Sequence, residues 1–515
     1  MGSAPELPPL PPLTEEFYNW EQDSTDPSVW RRRGTGAECV VGMKQANQIG
    51  ANDMYLLFSF QLNKDGITLN TLEDTVRSAW ITLRSQHPEV ALTASWDEMG
   101  TVSLQHTEPK DDNEVREWAA RTVKVEASTR TAMDIRDANE EKRRSTSIEA
   151  EAVVVYLAAP VADKTVVLRD ETLHLVFHAN HLYLDGISFR HMAGEFFRGL
   201  ASQLSIGPSV ESVSSWKKGL EYLSPPVLSL RKPNQQTSGP EFDKSAQLGG
   251  MNMLRMMNNW GLDVLGAGGF PRAVFHEFTE VESNKINKAV KDQLGPDFSI
   301  TYLAHAAILL ALLKTKPATD APDGQIYGSY SAVNGRRFIR DEYAQGEKLF
   351  YPICQTSTPI IFENIKSYDM VNADKVKQRE YLISAAKVAK AGYDGAINLP
   401  SYMPANTAQL QFIAALTASG NVPSTGLTTP YFTSDGVNER FIPREVFTDD
   451  GQQKTLTVQT VRFLLNQYIT FMGLRLESFR GKNELSVHFN EASYTKEVAQ
   501  KFVDDAAAFM LSFAE

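Results

Sequence analysis

The chain has 515 residues, of which 42% are apolar, and its 51 basic and 63 acidic side chains leave a net charge of −12. This length predicts more than one domain, and the negative charge argues against binding to nucleic acid or to an anionic membrane surface. Only two cysteines occur, Cys39 and Cys354, which argues against a disulfide framework and favours a reducing compartment such as the cytoplasm.

The N-terminus lacks the features of a signal peptide. Residues 1–12 are rich in proline and lack the basic start and continuous apolar run of a signal peptide. The longest apolar stretch, residues 304–313, is interrupted by His305 and is shorter than the roughly 20 residues that a membrane helix needs. We therefore expect a cytoplasmic protein without membrane insertion, in which this stretch forms a buried helix.

The first elements in the chain are a predicted strand over residues 54–62 and a predicted helix over residues 69–85, which closes on His87-Pro88. Two runs of charged residues do not indicate a specific function. Residues 30–33, Trp-Arg-Arg-Arg, could contact a phosphate group, although such a run is more often a solvated face. Residues 140–144 look like an exposed loop or helix end.

Residues 173–186 form the most informative segment. Apolar residues alternate in Leu-His-Leu-Val-Phe-His-Ala-Asn, which predicts a strand ending just before His181. After Asp185-Gly186 the spacing of the apolar residues becomes helical. The apolar stripe of this helix consists of Ile187, Phe189, Met192, Phe196 and Leu200. The segment therefore predicts a strand, a sharp turn and a helix.

This arrangement suits a catalytic base. A neutral imidazole with a pKa near roughly 6.5 can accept a proton at cellular pH if the turn fixes its tautomer. Asp185 would point away from a substrate at His181, so we expect it to anchor the loop through a buried cation. Two alternatives remain open. Asp185 could merely cap the helix, or a continuous helix could stack His174, His178, His181 and Asp185 as metal ligands.

Residues 207–271 are rich in Pro, Ser, Gly, Asn and Met and show no sustained periodicity, which predicts an irregular crossover between two lobes, 1–206 and 272–515. The second lobe repeats the strand-then-helix theme over residues 273–278 and 283–293, followed by an Ala-rich helix that opens near residue 299. Two strands, residues 473–479 and 484–489, and a helix over residues 495–513 end the chain.

Several catalytic motifs are missing from the sequence. It contains neither a phosphate-cradling glycine loop of the Gly-x-Gly-x-x-Gly or Walker type nor a Gly-x-Ser-x-Gly nucleophile elbow. Direct transfer of a group with the help of a base is then the simplest scheme.

The motifs that the sequence does contain occur in the order typical of the CoA-dependent acyltransferase superfamily. This superfamily includes chloramphenicol acetyltransferase, plant alcohol acyltransferases and peptide-synthetase condensation domains. The chain resembles that superfamily in His181-x-x-x-Asp185-Gly186, in the opening strand, helix and His-Pro, in Ser331-Ala-Val-Asn-Gly-Arg336, and in the final strand pair and helix. The resemblance implies an α/β fold of two similar lobes, each a mixed sheet with helices, and an active-site tunnel between them.

The same resemblance assigns roles. It implies that His181 is the general base, that Asp185 and Gly186 are structural parts of the motif, and that Arg336 is the partner of Asp185, the alternative being a solvated loop arginine. Thr433 and Ser434 are weak candidates for contact with the oxyanion or the substrate, or simply members of a Ser-Asp-Gly turn. No Asp-Phe-Gly-Trp-Gly occurs, and Thr433-Ser-Asp-Gly436 is its nearest counterpart, which disfavours the plant subgroup.

Residues 13–20 and 30–34 resemble the fungal trichothecene 15-O-acetyltransferase family. That resemblance implies a monomer that uses acetyl-CoA as co-substrate, holds no permanently bound cofactor or metal, and acetylates a terpenoid alcohol, namely the C-15 hydroxyl of a trichothecene. Two alternatives stay open. The chain could acylate another fungal metabolite from a different acyl donor, or it could be a non-catalytic scaffold of the same fold.

Overall fold

The computed structural model describes residues 11–98, 100–145, 151–168, 170–207, 221, 223–345, 349, 351–418, 428–448 and 450–515. The strands are β1 Glu21–Gln22, β2 Val29–Arg33, β3 Met54–Leu62, β4 Thr93–Trp96, β5 Val102–Thr107, β6 Val123–Ala127, β7 Val153–Ala159, β8 Leu173–Ala179, β9 Pro271–Glu277, β10 Tyr327–Asn334, β11 Gln355–Phe362, β12 Tyr431–Val437, β13 Glu445–Phe447, β14 Lys454–Leu465, β15 Gly473–Phe479 and β16 Lys482–Asn490. The helices are α1 Ala37–Val41, α2 Lys44–Gln48, α3 Leu69–Gln86, α4 Asp112–Thr122, α5 Ala132–Ser145, α6 Gly186–Ile206, α7 Pro240–Met256, α8 Glu280–Leu294, α9 Ile300–Thr315, α10 Asp341–Ala344, α11 Lys375–Ile397, α12 Tyr402–Ala418 and α13 Lys496–Phe513.

Two mixed sheets carry the fold. The first has the strand order β13-β14-β3-β8-β7-β6, in which only β6 and β7 pair in parallel. The second has the order β12-β15-β16-β9, in which only β12 and β15 pair in parallel. The remaining strands form two smaller sheets, β1-β2-β5-β4 and β10-β11.

Each large sheet is covered by helices and has its own apolar core. The first core includes Phe58 and Phe177 on the sheet and Trp80 and Phe196 on helices α3 and α6. The second core joins β15 and β16 to helices α9, α11 and α13. Residues 303–313 of α9 are all buried, so the longest apolar stretch is a core helix as predicted. No helix within the described ranges is both long and apolar enough to span a membrane.

One strand crosses from the second half of the chain to the first sheet. β14 pairs antiparallel with β3, from Leu456 opposite Leu62 to Leu465 opposite Met54. Alternation in residues 454–465 indicates a strand but does not indicate the sheet that the strand joins. The division at 1–206, 207–271 and 272–515 stays a prediction.

The predicted irregular crossover also contains a regular element, helix α7. Gly239 precedes it with a φ of 92°, Pro240 occupies the first turn, and Glu241 and Asp243 carry negative charge at its N-terminus. These residues favour a helix start. Only Ser245 is fully buried on α7, so the helix has no broad apolar stripe that periodicity would reveal.

Each charged run contains a buried member, whereas Arg31, Arg33, Glu141 and Lys142 are exposed as predicted. Arg32 on β2 is buried and makes a bidentate ion pair with Glu38, with N–O distances of 2.8 and 2.6 Å. Glu140 on α5 is buried and accepts a hydrogen bond from the hydroxyl of Tyr55. Each of these two side chains therefore has a polar partner within the fold, which the run of charged residues alone does not indicate.

Two glycines on α6 provide a matched test of packing. A Cβ on Gly194 would lie 2.1 Å from the carbonyl oxygen of Phe441, whereas a Cβ on Gly199 would meet no atom within 4 Å. We expect Gly194→Ala to lower the free energy of unfolding by about 1–3 kcal/mol through overpacking. Gly199→Ala should raise it by up to about 1 kcal/mol, because alanine is the better helix former. Urea denaturation checks both values, and equal effects of the two changes would contradict this packing.

Candidate active site

The turn between β8 and α6 presents the histidine of the motif. His181 follows β8 and is partly exposed, while its neighbours Leu182, Tyr183 and Leu184 are buried. Its Nδ1 lies 2.9 Å from the carbonyl oxygen of Leu184. Because a carbonyl oxygen only accepts hydrogen bonds, Nδ1 must carry the proton, which leaves Nε2 as the basic nitrogen.

The surroundings of His181 keep the ring neutral. Burial lowers the pKa of His181 from its ordinary value of 6.5, the carboxylate of Asp185 opposes this shift, and the guanidinium of Arg475 adds to it. A lowered pKa keeps the imidazole unprotonated at neutral pH, which is the form that a general base requires.

The pH dependence of the reaction follows from that shift. With His181 as the predicted base, activity requires the neutral ring, so kcat/KM should reach a plateau at neutral and alkaline pH and should fall as the pH drops through the lowered pKa of His181. Initial rates between about pH 4.5 and 8, with the melting temperature recorded at each pH, measure the midpoint of the acid limb. A midpoint at or above 6.5 in folded protein would contradict the predicted environment.

Asp185 is buried and uses both carboxylate oxygens. Oδ2 accepts from Nη1 of Arg336 at 2.8 Å and from the backbone N–H of Cys354 at 2.9 Å. Oδ1 accepts from the backbone N–H groups of Ile187 at 3.0 Å and Ser188 at 2.8 Å, which makes Asp185 the N-cap of α6. Asp185 therefore both pairs with a buried cation and caps the helix, so the two interpretations are compatible. Burial raises its pKa, but Arg336 and the hydrogen bonds outweigh burial and hold the pKa below its usual value.

Arg336 reaches Asp185 because of the turn that follows β10. Residues Gly335–Phe338 form a 3-10 turn, and the N–H of Gly335 donates to the carbonyl oxygen of Cys354 at 2.7 Å. A Cβ at position 335 would lie 2.5 Å from that same oxygen, so glycine permits the approach. Arg336 is 2% exposed, and its description as a solvated loop arginine is wrong.

Thr433 and Ser434 lie on β12 of the second sheet. Thr433 is buried and pairs in register with Arg475 of β15, and the Ser434 hydroxyl accepts a hydrogen bond from Thr301 at 2.8 Å. Both belong to strand β12, which continues to Val437 with a shift in register between Ser434 and Gly436. Contact between either hydroxyl and a substrate stays a prediction, as does the tunnel between the lobes.

A buried charge network behind the motif was not predicted. Arg190 on α6 donates to the carbonyl oxygen of Gly186 at 2.8 Å, to Asn438 at 2.7 Å, to Asp435 at 2.8 Å and to Glu477 at 3.0 Å. This network ties the first turn of the motif helix to the second sheet. An arginine directly after Phe189, inside an apolar helix, was the signal that could have revealed it.

Arg475 extends the same network toward the motif. Its guanidinium makes bonds of 2.7 to 2.9 Å with the carboxylate of Asp435. The Phe463 ring lies 4.0 Å from the Arg475 guanidinium carbon and 4.5 Å from that of Arg190, measured to the ring centroid. Asp435 therefore holds two arginines, one of which contributes to the lowered pKa of His181.

The metal-site alternative fails on geometry. Residues 173–179 form a strand, so His174, His178 and His181 do not stack on a helix face. His178 instead lies 2.7 Å from Asp53, which also pairs with Arg143. Among the described residues, no group of three His, Cys, Asp or Glu side chains is arranged to hold a metal ion.

The family of the chain follows from its similarity to known proteins. The family model described as 15-O-acetyltransferase Tri3 matches residues 10–414. The chain belongs to this family. The Tri3 assignment confirms the resemblance drawn from residues 13–20, 30–34 and the His-x-x-x-Asp-Gly motif, and it confirms that the protein is an O-acetyltransferase.

Curated relatives cover the whole length of this Tri3 chain. It is 31% identical to trichothecene 15-O-acetyltransferase TRI3 of Fusarium sporotrichioides over 98% of both chains. It is 32% identical to trichothecene O-acetyltransferase TRI3 of Trichoderma arundinaceum over 100% of both chains.

Solved structures confirm the fold class. The structure of TRI3 from Fusarium sporotrichioides matches with a TM-score of 0.90 at 30% identity and covers 98% of this chain and 99% of that one. The epimerization domain from the third module of tyrocidine synthetase B matches with a TM-score of 0.54 at 15% identity, over 91% of this chain and 92% of that domain. This second likeness shows the fold alone.

Proposed function

We propose that this Tri3-family chain transfers the acetyl group of acetyl-CoA to the C-15 hydroxyl of a trichothecene, with His181 as the general base. The observation that carries the proposal is the hydrogen bond from Nδ1 to the Leu184 carbonyl, which leaves Nε2 free to accept a proton. The names of the two full-length relatives support a trichothecene acceptor, and the name of the Fusarium sporotrichioides relative and the description of the family support position 15.

The reaction uses the imidazole twice. Nε2 of His181 takes the proton of the acceptor hydroxyl as the hydroxyl oxygen attacks the thioester carbonyl carbon of acetyl-CoA. The tetrahedral intermediate then collapses, the carbon–sulfur bond breaks, and the imidazolium returns its proton to the thiolate. The products are the acetate ester and free CoA. A positioned base of this kind contributes about 10²–10⁴-fold to the rate.

The other site residues act at a distance or on the oxyanion. Asp185 and Arg336 hold the turn and touch neither substrate. A hydroxyl of Thr433 or Ser434 is the candidate donor to the tetrahedral oxyanion, a hydrogen bond that is typically worth about 3–4 kcal/mol in acyl transfer. Acetyl-CoA serves as co-substrate, and the scheme needs no resident cofactor. We expect a cytoplasmic monomer, for which sedimentation of the purified protein is the check on oligomeric state.

The test combines purified protein, acetyl-CoA and a trichothecene with a free C-15 hydroxyl, with release of CoA thiol as the readout. We expect thiol release that depends on the acceptor, a monoacetylated product by mass spectrometry, and no product from an acceptor that is already acetylated at C-15. Faster turnover with a longer acyl-CoA, or with an unrelated alcohol, would replace the proposed substrates. No acceptor-dependent thiol release across a panel of hydroxylated terpenoids would leave only the scaffold alternative.

A further inference from the structure

The residue immediately before the base has an unusual set of contacts. Asn180 is 2% exposed, and its Oδ1 accepts from the backbone N–H of Leu182 at 3.0 Å and from Nδ2 of Asn47 at 2.9 Å. A backbone N–H only donates, so the atom that faces Leu182 must be the amide oxygen. Asn180 therefore closes an Asx turn on the residue that follows His181.

That turn determines where the ring of His181 finds its partner. The N–H of Tyr183 donates to the carbonyl oxygen of Asn180 at 3.2 Å, which tightens the same turn. The next residue is Leu184, whose carbonyl oxygen holds Nδ1 of His181. The position of that carbonyl, and with it the tautomer of the base, depends on the turn that Asn180 closes.

The second lobe contains the same turn without a histidine. Asn490 ends β16, its Oδ1 accepts from the N–H of Ala492 at 2.9 Å, and Thr495 caps α13 as Asp185 caps α6. The spacing from asparagine to cap is identical in both lobes. The position of His181 is taken there by Glu491, which pairs with Arg272 on the surface.

The side-chain amides of the two asparagines differ in the contacts of their Nδ2 atoms. Nδ2 of Asn490 donates to the carbonyl oxygen of Tyr468 at 2.9 Å, whereas Nδ2 of Asn180 is buried and has no hydrogen-bond partner among the described residues. A buried donor without a partner destabilises a fold. The amide of Asn180 therefore contributes through its oxygen, and an aspartate would supply an oxygen in the same place.

We propose that Asn180 is a positioning residue for the reaction, because its side-chain oxygen sets the turn in which the Leu184 carbonyl holds His181 as the Nδ1–H tautomer. The inference rests on the proposed role of His181 as base. Asn180 touches no substrate in this proposal, so its removal should change kcat and leave KM for both substrates nearly unchanged.

The experiment compares Asn180→Ala, Asn180→Asp and the matched control Asn490→Ala. We expect Asn180→Ala to lower kcat by roughly 10–100-fold, since a small misplacement of a catalytic group has effects of that order. Nitrogen-15 NMR of the His181 ring, assigned with a His181→Gln variant, should show loss of the single Nδ1–H tautomer. Asn180→Asp keeps the acceptor and should recover most of kcat at about pH 8, where the ring is neutral.

Asn490→Ala should lower the melting temperature but leave kcat and the His181 tautomer unchanged. An Asn180→Ala protein with wild-type kcat, or with an unchanged tautomer, would overturn the inference. If that variant fails to fold, Asn47→Ala is the substitute, because it removes only the second hydrogen bond to Oδ1 of Asn180. It should lower kcat by a smaller factor, and an unchanged kcat would refute the proposal. Full activity in His181→Gln would instead refute the proposed base, and the NMR result would still report on the turn.

Discussion

Replacing His181 by alanine should lower kcat by about 10²–10⁴-fold, the contribution expected of a positioned general base. The free energy of unfolding should change little, because the ring is partly exposed and makes one hydrogen bond, to Leu184, worth about 1 kcal/mol. Steady-state thiol release measures the first value, and urea denaturation measures the second.

A histidine on the same strand provides the control for this experiment. His174 is also partly exposed, on β8, and lies at the opposite end of the strand from the turn. His174→Ala should retain wild-type kcat. A His181→Ala protein that is folded and turns over within threefold of wild type, roughly 0.7 kcal/mol in barrier, would remove His181 from the chemistry.

Breaking the ion pair between Asp185 and Arg336 should have the largest effect on stability. Both side chains are buried, so Asp185→Asn or Arg336→Met leaves one charge buried without its partner, which typically costs about 3–5 kcal/mol. Activity should fall with stability, since Asp185 also caps the helix that follows the base. Chemical denaturation of the two single variants and the double variant measures the interaction energy of the pair. The double variant should lose less free energy of unfolding than the two single variants together.

An exposed ion pair on the second sheet supplies the comparison. Lys482 and Glu277 are 2.9 Å apart with about half of each side chain exposed, and Glu277→Gln should cost no more than about 1 kcal/mol. If Asp185→Asn is as stable as wild type, the carboxylate does not anchor the motif. If it is unstable but its residual folded fraction has wild-type kcat per active molecule, its role is stability alone.

The local elements of this fold are readable from the sequence because each has a clear period. The apolar run of residues 54–62 and the alternation in residues 173–179 predicted β3 and β8 to within a residue. The helical stripe after Gly186 predicted the start of α6, but the helix continues past Leu200 to Ile206. Helix α7 was missed because it buries little and contains two adjacent glycines, so neither period nor composition indicated it.

Long-range partners were the harder part. The pairing of Asp185 with Arg336, 151 residues away, came from the resemblance to an acyltransferase superfamily and not from local pattern. The pairing of β14 with β3 and the contacts of Arg190 join segments that only the folded chain brings together. The hydrogen bond from Asn47 to Asn180 was also not predictable, because the two residues are 133 positions apart in the sequence.

The most direct test of the central claim is a crystal structure of the protein with CoA and a trichothecene that carries a free C-15 hydroxyl. Our account predicts that the C-15 oxygen lies about 2.6–3.2 Å from Nε2 of His181, with Nδ1 still bonded to the Leu184 carbonyl. A bound acceptor whose C-15 oxygen lies beyond hydrogen-bond reach of that ring, with another side chain in contact with it, would contradict the account.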